Sequence, residues 1–303
     1  MKKIAIAVHG GASEETKFLK SHIKESEEGL AEAAEAGYRV LKNGGSALDA
    51  VEIAVRSLED NPMFNAGCGS ALNCKGEVEM DASIMDGSNL DAGAVSMVRH
   101  VKNPISLARI IMEKTHHILL SGYGALEFAE INKLHLEPDS YFITPHQYEI
   151  FKELNEIQTK EEVLANTGTG TVGAVALDMN GNLAAGTSTG GTSNCLAGRI
   201  GDSCHIGAGC YANNNTCAVS GTGEGEFLIR GVVAHTIAMM MEHNMSLKEA
   251  CHYVLFERDK ILEGGMGVIA VSKDGEVGIS FNTEIMKRAW MTTDNDLRVA
   301  IYK

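Results

Sequence analysis

The chain has 303 residues, of which 33 are glycine and only 4 proline, and 40 acidic against 26 basic residues leave a net charge of −14. So acidic a protein is repelled by phosphate backbones and anionic membranes, which argues against nucleic acid or membrane as partner. No apolar run approaches the roughly 20 residues that cross a bilayer, and Ile4 to Val8 is too short for a signal-peptide core. A soluble, cytoplasmic globular protein is expected, as one large domain or two small ones. Of the seven cysteines, Cys195, Cys204, Cys210 and Cys217 cluster, but their gaps do not fit the paired Cys-x2-Cys of zinc sites, even with His205 beside Cys204. Reduced thiols packed as small apolar groups are expected instead.

Lys2 to Val8 predicts a strand, stopped by His9-Gly10-Gly11. Ile23, Leu30, Ala33, Ala34, Gly37 and Leu41 fall at helical spacing, and Ser46 with Asp49 marks the start of a second helix striped by Leu48, Val51, Val55 and Leu58. Asn65 to Gly87 is glycine-punctuated and strand-like, and helices follow over about 105–114 and 123–131. Pro145 to Thr169 is polar, predicting a surface helix that runs into a flexible tether over about 155–170. Thr171 to Asp178 and Leu183 to Thr189 predict a hairpin about Asn180-Gly181. Two helices are expected over about 226–242 and 246–262, the second opened by a Ser246/Glu249 capping box. Gly267 to Ser272 and Val277 to Phe281 form another hairpin, and Leu297 to Tyr302 a final edge strand. Elements come in like pairs rather than in βα alternation, which favours an α+β fold of antiparallel sheets covered by helix pairs.

Gly168-Thr169-Gly170-Thr171-Val172-Gly173 matches the dinucleotide fingerprint G-x-G-x-x-G. That fingerprint needs a strand before it and a helix N-terminus after it. Here it follows a polar tether and opens a strand, so nucleotide binding is not expected. His9 invites assignment as a general base, but the family resemblance carried by the motifs that follow implies a glycine-rich turn here that shapes the site with backbone. Met239, Met240 and Met241 are expected as helix packing rather than a cofactor box.

Thr171 to Asp178, Thr187-Ser188-Thr189-Gly190-Gly191, Gly198-Arg199-Ile200-Gly201-Asp202-Ser203 and Thr222-Gly223-Glu224-Gly225-Glu226 occur in this order. Upstream stand Val8-His9-Gly10-Gly11-Ala12, Phe64-Asn65-Ala66-Gly67 and the run Met80 to Gly87. Together they resemble the plant-type asparaginase family, also called isoaspartyl aminopeptidases, within the N-terminal-nucleophile hydrolases. The likeness covers nearly the whole chain and is weakest in the tether. It implies a four-layer αββα sandwich, a single domain over 1–303, and self-cleavage between Gly170 and Thr171 into an α subunit 1–170 and a β subunit 171–303.

What such a cut would achieve follows from chemistry. A threonine hydroxyl is a poor nucleophile until a base takes its proton. The α-amine freed at Thr171, with a pKa near 8, is such a base, and it cannot exist while the chain is intact. By itself a threonine opening a strand is only a β-former, and the ordered motifs are what single out Thr171. The resemblance implies that Thr189 tunes Thr171, where its ordinary use is to cap its own backbone. Arg199 would take the α-carboxylate of the substrate and Asp202 its α-ammonium; the plain alternative is a surface turn with a weak local ion pair. Thr222 and Gly223 would form an oxyanion hole, although Thr-Gly before a helix is also an ordinary N-cap. Asn65 would lie beside the substrate. The loop Leu58 to Cys68 resembles one that wraps a structural sodium ion with backbone carbonyls, here those of Leu58, Glu59, Asn61, Phe64, Ala66 and Cys68.

The substrate implied is a small molecule, asparagine or a β-aspartyl dipeptide, hydrolysed through a β-aspartyl ester on Thr171 with no catalytic cofactor. The assembly implied is a dimer of αβ units. A glycosylasparaginase-type amidase and an uncleaved, amino-acid-binding relative are the alternatives. The chain departs from the family pattern at Ser13, Thr169 and Ile285; Thr169 bears on the rate of self-cleavage and Ile285 on the shape of the pocket.

Overall fold

The computed structural model describes residues 2–156, 170–258 and 264–303. The expected tether beyond Glu156, Thr169 included, and the last residues of the helix expected over 246–262 lie outside the described residues.

The first half runs β1 (Ala5–Ser13), α1 (Lys17–Ser21), α2 (Ile23–Lys42), α3 (Ala47–Glu59), β2 (Met80–Asp86), β3 (Ala92–Val98) and α4 (Pro104–Lys114). It continues with β4 (Leu119–Ser121), α5 (Gly122–Ile131), α6 (Asp139–Phe142) and α7 (Pro145–Glu156). The second half opens with β5 (Val172–Leu177), β6 (Leu183–Thr189), β7 (Cys210–Ala212), β8 (Cys217–Gly223), α8 (Gly225–Gly231), α9 (Val233–Glu242) and α10 (Leu247–His252). It closes with β9 (Met266–Ser272), β10 (Val277–Phe281), β11 (Ile285–Thr292) and β12 (Asn295–Tyr302).

Eight strands form a large sheet in the order β12-β11-β1-β5-β6-β2-β3-β4, and four form a smaller one in the order β10-β9-β8-β7. Blocks of strands from before and after residue 170 therefore alternate across the large sheet, β12-β11 and β5-β6 with β1 and β2-β3-β4, so that β1 is hydrogen-bonded between β11 and β5. All pairings are antiparallel except β3 with β4.

The side-chain period of two divides β1 between two cores. Ile4, Ile6 and Val8 pack with Leu30, Leu41, Val51 and Leu58 of α2 and α3. Ala5 and Ala7 pack instead with Val175, Ile269 and Val271, where the large sheet meets the small one. Val219 and Val268 turn the other way, onto Leu228, Ile237 and Leu247 of α8–α10. Burying each such leucine fully is worth about 1.5–3 kcal/mol, which is what holds the helices on. The start of α3 is fixed locally, Ser46 Oγ accepting the Asp49 N–H at 3.1 Å. At α10 the Ser246/Glu249 capping box is present in both directions.

Four expectations need correction. His9-Gly10-Gly11 does not stop the first strand: β1 runs on to Ser13, its register with β11 shifting between His9 and Ala12. Only Met80–Asp86 of the strand-like run 65–87 is a strand; left-handed glycines at Gly67, Gly69 and Gly76 turn the rest into loop. The helix expected over 226–242 is broken at Val232, whose φ of 47° separates α8 from α9. The helix from Ser246 becomes a π-helical segment at Tyr253–Arg258. Among the described residues no helix is long and apolar enough to cross a membrane.

Candidate active site

Thr171 lies where the two sheets meet. The β5–β6 ladder ends at the pair Val172–Ser188, so the register sets Thr171 opposite Thr189. The Thr171 carbonyl oxygen lies 2.9 Å from His9 Nδ1, on β1 of the large sheet. It also accepts the Thr222 hydroxyl at 3.4 Å, from β8 of the small sheet. Thr222 Oγ1 in turn accepts the Ala12 N–H at 3.2 Å.

Because a carbonyl only accepts, His9 must carry its proton on Nδ1, and Nε2 becomes an acceptor. Ser220 Oγ lies 2.9 Å from Nε2, and Thr187 Oγ1 a further 2.8 Å from Ser220. The result is a buried file of hydrogen bonds ending on the Thr171 carbonyl. Burial pushes the His9 pKa down to about 3, against the opposing pull of the Thr171 carbonyl. The ring is therefore neutral near pH 7 and unsuited to receive a proton as general base. The side chain nonetheless has a structural task, which the expectation of a backbone-only turn missed.

The glycines around the Gly170–Thr171 bond have a steric reason. Gly11 has φ of +112°, and a methyl there would lie 2.6 Å from Gly170 Cα. A methyl on Gly170 would overlap Gly11 Cα and sit 2.8 Å from the Ala12 nitrogen. The two backbones touch face to face, and only glycine at both positions permits it.

Thr189 is buried, and its Oγ1 accepts the Gly191 N–H at 3.1 Å. This is the self-capping arrangement weighed above. Asn65 fastens the same turn: its Nδ2 donates to Gly191 O at 2.7 Å and its Oδ1 accepts from Ala71 N–H at 2.7 Å. Its own carbonyl accepts from Gly190 N–H at 3.1 Å.

Arg199 and Asp202 do not form a surface ion pair with each other. Arg199 is paired with Glu226 of α8. Asp202 is buried, 3 % exposed, and its Oδ2 has no hydrogen-bond partner among the described residues. Burial pushes this carboxyl up to about 7; the Arg199 charge opposes the shift, and Asp81 and Glu226 add to it. The two side chains converge on Gly225, where a methyl would lie 2.7 Å from Asp202 Oδ1 and 3.0 Å from Arg199 Nη2.

Thr222 is not a helix cap. It pairs with Gly267 inside β8, and the residue before α8 is Glu224. Gly223 has φ of +121°, and a side chain there would overlap the Gly265 carbonyl.

The loop from Leu58 to Cys68 suits a hard cation. A methyl on Gly69 would lie 2.7 Å from Phe64 O and 2.9 Å from Pro62 O, and one on Gly67 would overlap Glu59 O. Carbonyl oxygens thus crowd a cradle kept open by two glycines, and neutral oxygen donors are what such an ion takes. Glu59 O and Asn61 O also accept N–H bonds, from Cys68 and Phe64. The Glu59 carboxyl, raised to about 8 by burial against its hydrogen bonds to Ser188 and Ile105, joins this loop to the strand carrying Thr189.

Four side chains went unassigned in the sequence: His9, Asp81, Ser220 and Glu226. His9, Asp81 and Glu226 lie within the motifs of the resemblance, so their positions were signalled and their contacts were not.

With this geometry established, comparison with known proteins is direct. A family model described as Asparaginase matches residues 2–301, and the chain belongs to this asparaginase family. The isoaspartyl peptidase of Salmonella typhimurium is 44 % identical over 314 residues, covering 100 % of both chains. The isoaspartyl peptidase of Escherichia coli is 43 % identical over 314 residues, covering 100 % of this chain and 97 % of that one. The isoaspartyl peptidase/L-asparaginase of Homo sapiens is 44 % identical over 276 residues, 91 % of this chain and 89 % of its own.

Proposed function

We propose that this chain is a self-activated threonine hydrolase that cleaves the side-chain amide of L-asparagine and of β-aspartyl dipeptides, releasing L-aspartate. The observation that carries the reading is the position of Thr171, its carbonyl held from both sheets and Gly170 pressed against Gly11. The names of the full-length relatives support the substrate class.

In the first step the Thr171 hydroxyl oxygen attacks the Gly170 carbonyl carbon, and the Gly170–Thr171 C–N bond breaks to give an ester, the hydroxyl proton passing to the departing nitrogen, which becomes the Thr171 α-amine. Water opens the ester, leaving a Gly170 carboxylate and a free Thr171 α-amine. In turnover this amine takes the hydroxyl proton as Thr171 Oγ1 attacks the substrate side-chain carbonyl. The Thr222 hydroxyl and Gly223 N–H receive the negative oxygen, a donor of this kind being worth about 3 kcal/mol. Collapse expels ammonia or an amino acid, which takes the proton back from the α-ammonium, and water then hydrolyses the β-aspartyl ester.

Arg199 takes the α-carboxylate and Asp202 the α-ammonium. The unpartnered Asp202 Oδ2 supports this, because an incoming ammonium supplies the missing hydrogen bond and draws the carboxyl into its charged form. Asn65 and Thr189 shape the wall beside Thr171. A four-layer αββα order is supported by the three successive cores, helix on sheet, sheet on sheet and sheet on helix. Within it we place one domain, cut into 1–170 and 171–303 and assembled as a dimer of αβ units. When bound, sodium would stiffen the Leu58–Cys68 loop through its carbonyls.

Mass spectrometry of the purified protein tests the reading: two fragments parted before Thr171, and a single species for Thr171→Ala. An intact wild-type chain that still releases aspartate would overturn the N-terminal-amine mechanism. Aspartate release from a glycosylated asparagine alone, and from neither asparagine nor a β-aspartyl dipeptide, would transfer the chain to the glycosylasparaginase type.

A further inference from the structure

Asp81 stands at an irregularity in the large sheet. The β2–β3 register passes from Met80–Val98 to Ala82–Val95, leaving Asp81 without a ladder partner on that side. Its Oδ1 accepts the Met97 N–H at 3.0 Å, which repairs the gap. Its Oδ2 accepts the Gly201 N–H at 2.9 Å, from a residue 120 positions away. On the other strand edge Asp81 is the register partner of Thr189.

Gly201 is held from its far side as well. Its carbonyl lies 2.7 Å from His205 Nδ1, which must therefore carry the proton. Gly201 stands between the two proposed head-group anchors. A methyl there would lie 2.7 Å from Arg199 Nη1, so the guanidinium rests on its surface, and Asp202 is the next residue. Displacing Gly201 displaces both anchors.

We infer that Asp81 and His205 are positioning residues for substrate recognition, gripping Gly201 from its N–H and C=O sides and so fixing where Arg199 and Asp202 meet the amino-acid head group. The inference rests on the function proposed above and deepens it. The Asp81 carboxylate thereby ties the strand beside Thr189 to the anchors, alongside the Ser83 hydroxyl of the same strand, which donates to the Ser203 carbonyl at 2.6 Å. Asp81 also acts through charge. The charged and titratable groups facing Asp202 are Arg199, Glu226 on α8, Asp81 on β2, the Cys204 thiol and, through Asp81, His205. Of these, Asp81 and Glu226 oppose ionisation of Asp202.

The test is steady-state hydrolysis of a β-aspartyl dipeptide by the processed enzyme across pH, with Asp202→Asn as reference. Asp81→Asn can accept only one of the two N–H groups, and KM is expected to rise about tenfold or more with kcat within about threefold, a buried charged hydrogen bond having been lost. Removing the Asp81 charge eases ionisation of Asp202, so the acid limb of kcat/KM shifts to lower pH, a change that loosened packing alone would not produce. His205→Ala, at a half-buried site, is expected to raise KM in the same way and provides the second arm if Asp81→Asn does not fold. Wild-type KM in His205→Ala, or an unmoved acid limb with unchanged KM in a folded Asp81→Asn, overturns the inference. Failure of the wild-type enzyme to release aspartate at all would instead count against the function on which the inference rests.

Discussion

Arg199 is held edge-on by Glu226, Nε to Oε1 at 2.9 Å and Nη2 to Oε2 at 3.0 Å. A guanidinium has a second bidentate edge, the Nη1–Nη2 end, and that end is the one proposed to take the substrate carboxylate. Glu226 is half exposed, so the pair adds little to stability, at most about 1 kcal/mol; its effect is to stop the long arginine side chain from swinging. Glu226→Gln should leave the midpoint of thermal unfolding within a few degrees of wild type and raise KM about tenfold, the cost of re-ordering a side chain with about 2 kcal/mol of rotamer entropy. Calorimetry and steady-state kinetics on the same preparation check both parts.

The Thr222 hydroxyl joins the small sheet to Thr171 before cleavage and is proposed to receive the oxyanion afterwards. Thr222→Val keeps the shape and removes the donor. In enzyme that has been processed, kcat should fall about 10²- to 10³-fold with KM nearly unchanged. Single-turnover measurement of aspartate release separates this from any delay in processing.

Gly11 and Gly170 touch through their backbones, which would make the proposed self-cleavage sensitive to one methyl. Gly11→Ala adds a Cβ 2.6 Å from Gly170 Cα on a residue with φ of +112°. Such overlap and backbone strain cost about 1–3 kcal/mol each, so fragment formation should slow at least tenfold. Gly124→Ala, whose methyl meets nothing within 4 Å, should process at the wild-type rate. A time course of fragment appearance on a denaturing gel decides it.

Three buried groups give stability a definite pH dependence. His9 has its pKa lowered from 6.5 to about 3 by burial. Its contribution is complete above pH 6.5 and is lost as pH falls through 3, because the unfolded chain binds the proton more readily. Asp202 and Glu59, raised to about 7 and about 8, act in the opposite sense, stabilising below their unfolded pKa values and losing that contribution as pH rises through 7 and 8. The advantage in unfolding temperature of wild type over His9→Gln should therefore narrow steadily below about pH 6. For activity, protonating Asp202 would remove the proposed ammonium anchor, so kcat/KM should decline as pH drops below about 7, and that part of the decline should vanish in Asp202→Asn.

Local chemistry was readable along the chain, and contacts between distant residues were not. The Ser46 and Ser246 caps and the hairpins about Asn180-Gly181 and Asp274-Gly275 rest on neighbours a few positions apart, and they formed as expected. β11 was missed because Lys287 and Arg288 make it look like surface. Arg288 is in fact buried, donating to the carbonyls of Met286 and Tyr302 and lying over Phe281. The break at Val232 was equally invisible, since a β-branched residue gives no warning of a left-handed conformation. At the site the ordered motifs named Thr171, Thr189, Arg199, Asp202 and Thr222. They did not reveal that His9 reaches Thr171 across 162 positions, or that Arg199 turns to Glu226 rather than to Asp202.

The alternation of strands in the large sheet changes what unfolding means for a processed molecule. With β1 lodged between β11 and β5, a cut at Gly170 would leave two polypeptides woven through one another, unable to part without tearing the sheet. Before the cut, refolding is a first-order event within one chain. Afterwards it needs two fragments to find each other, and its rate falls with dilution. The translational entropy released when the fragments separate then favours the denatured state, and the melting temperature becomes a function of protein concentration. The proposed cut would thereby give the order of events a direction: the chain would have to fold once, whole, before being divided, and persistence after that would be governed by a barrier more than by an equilibrium.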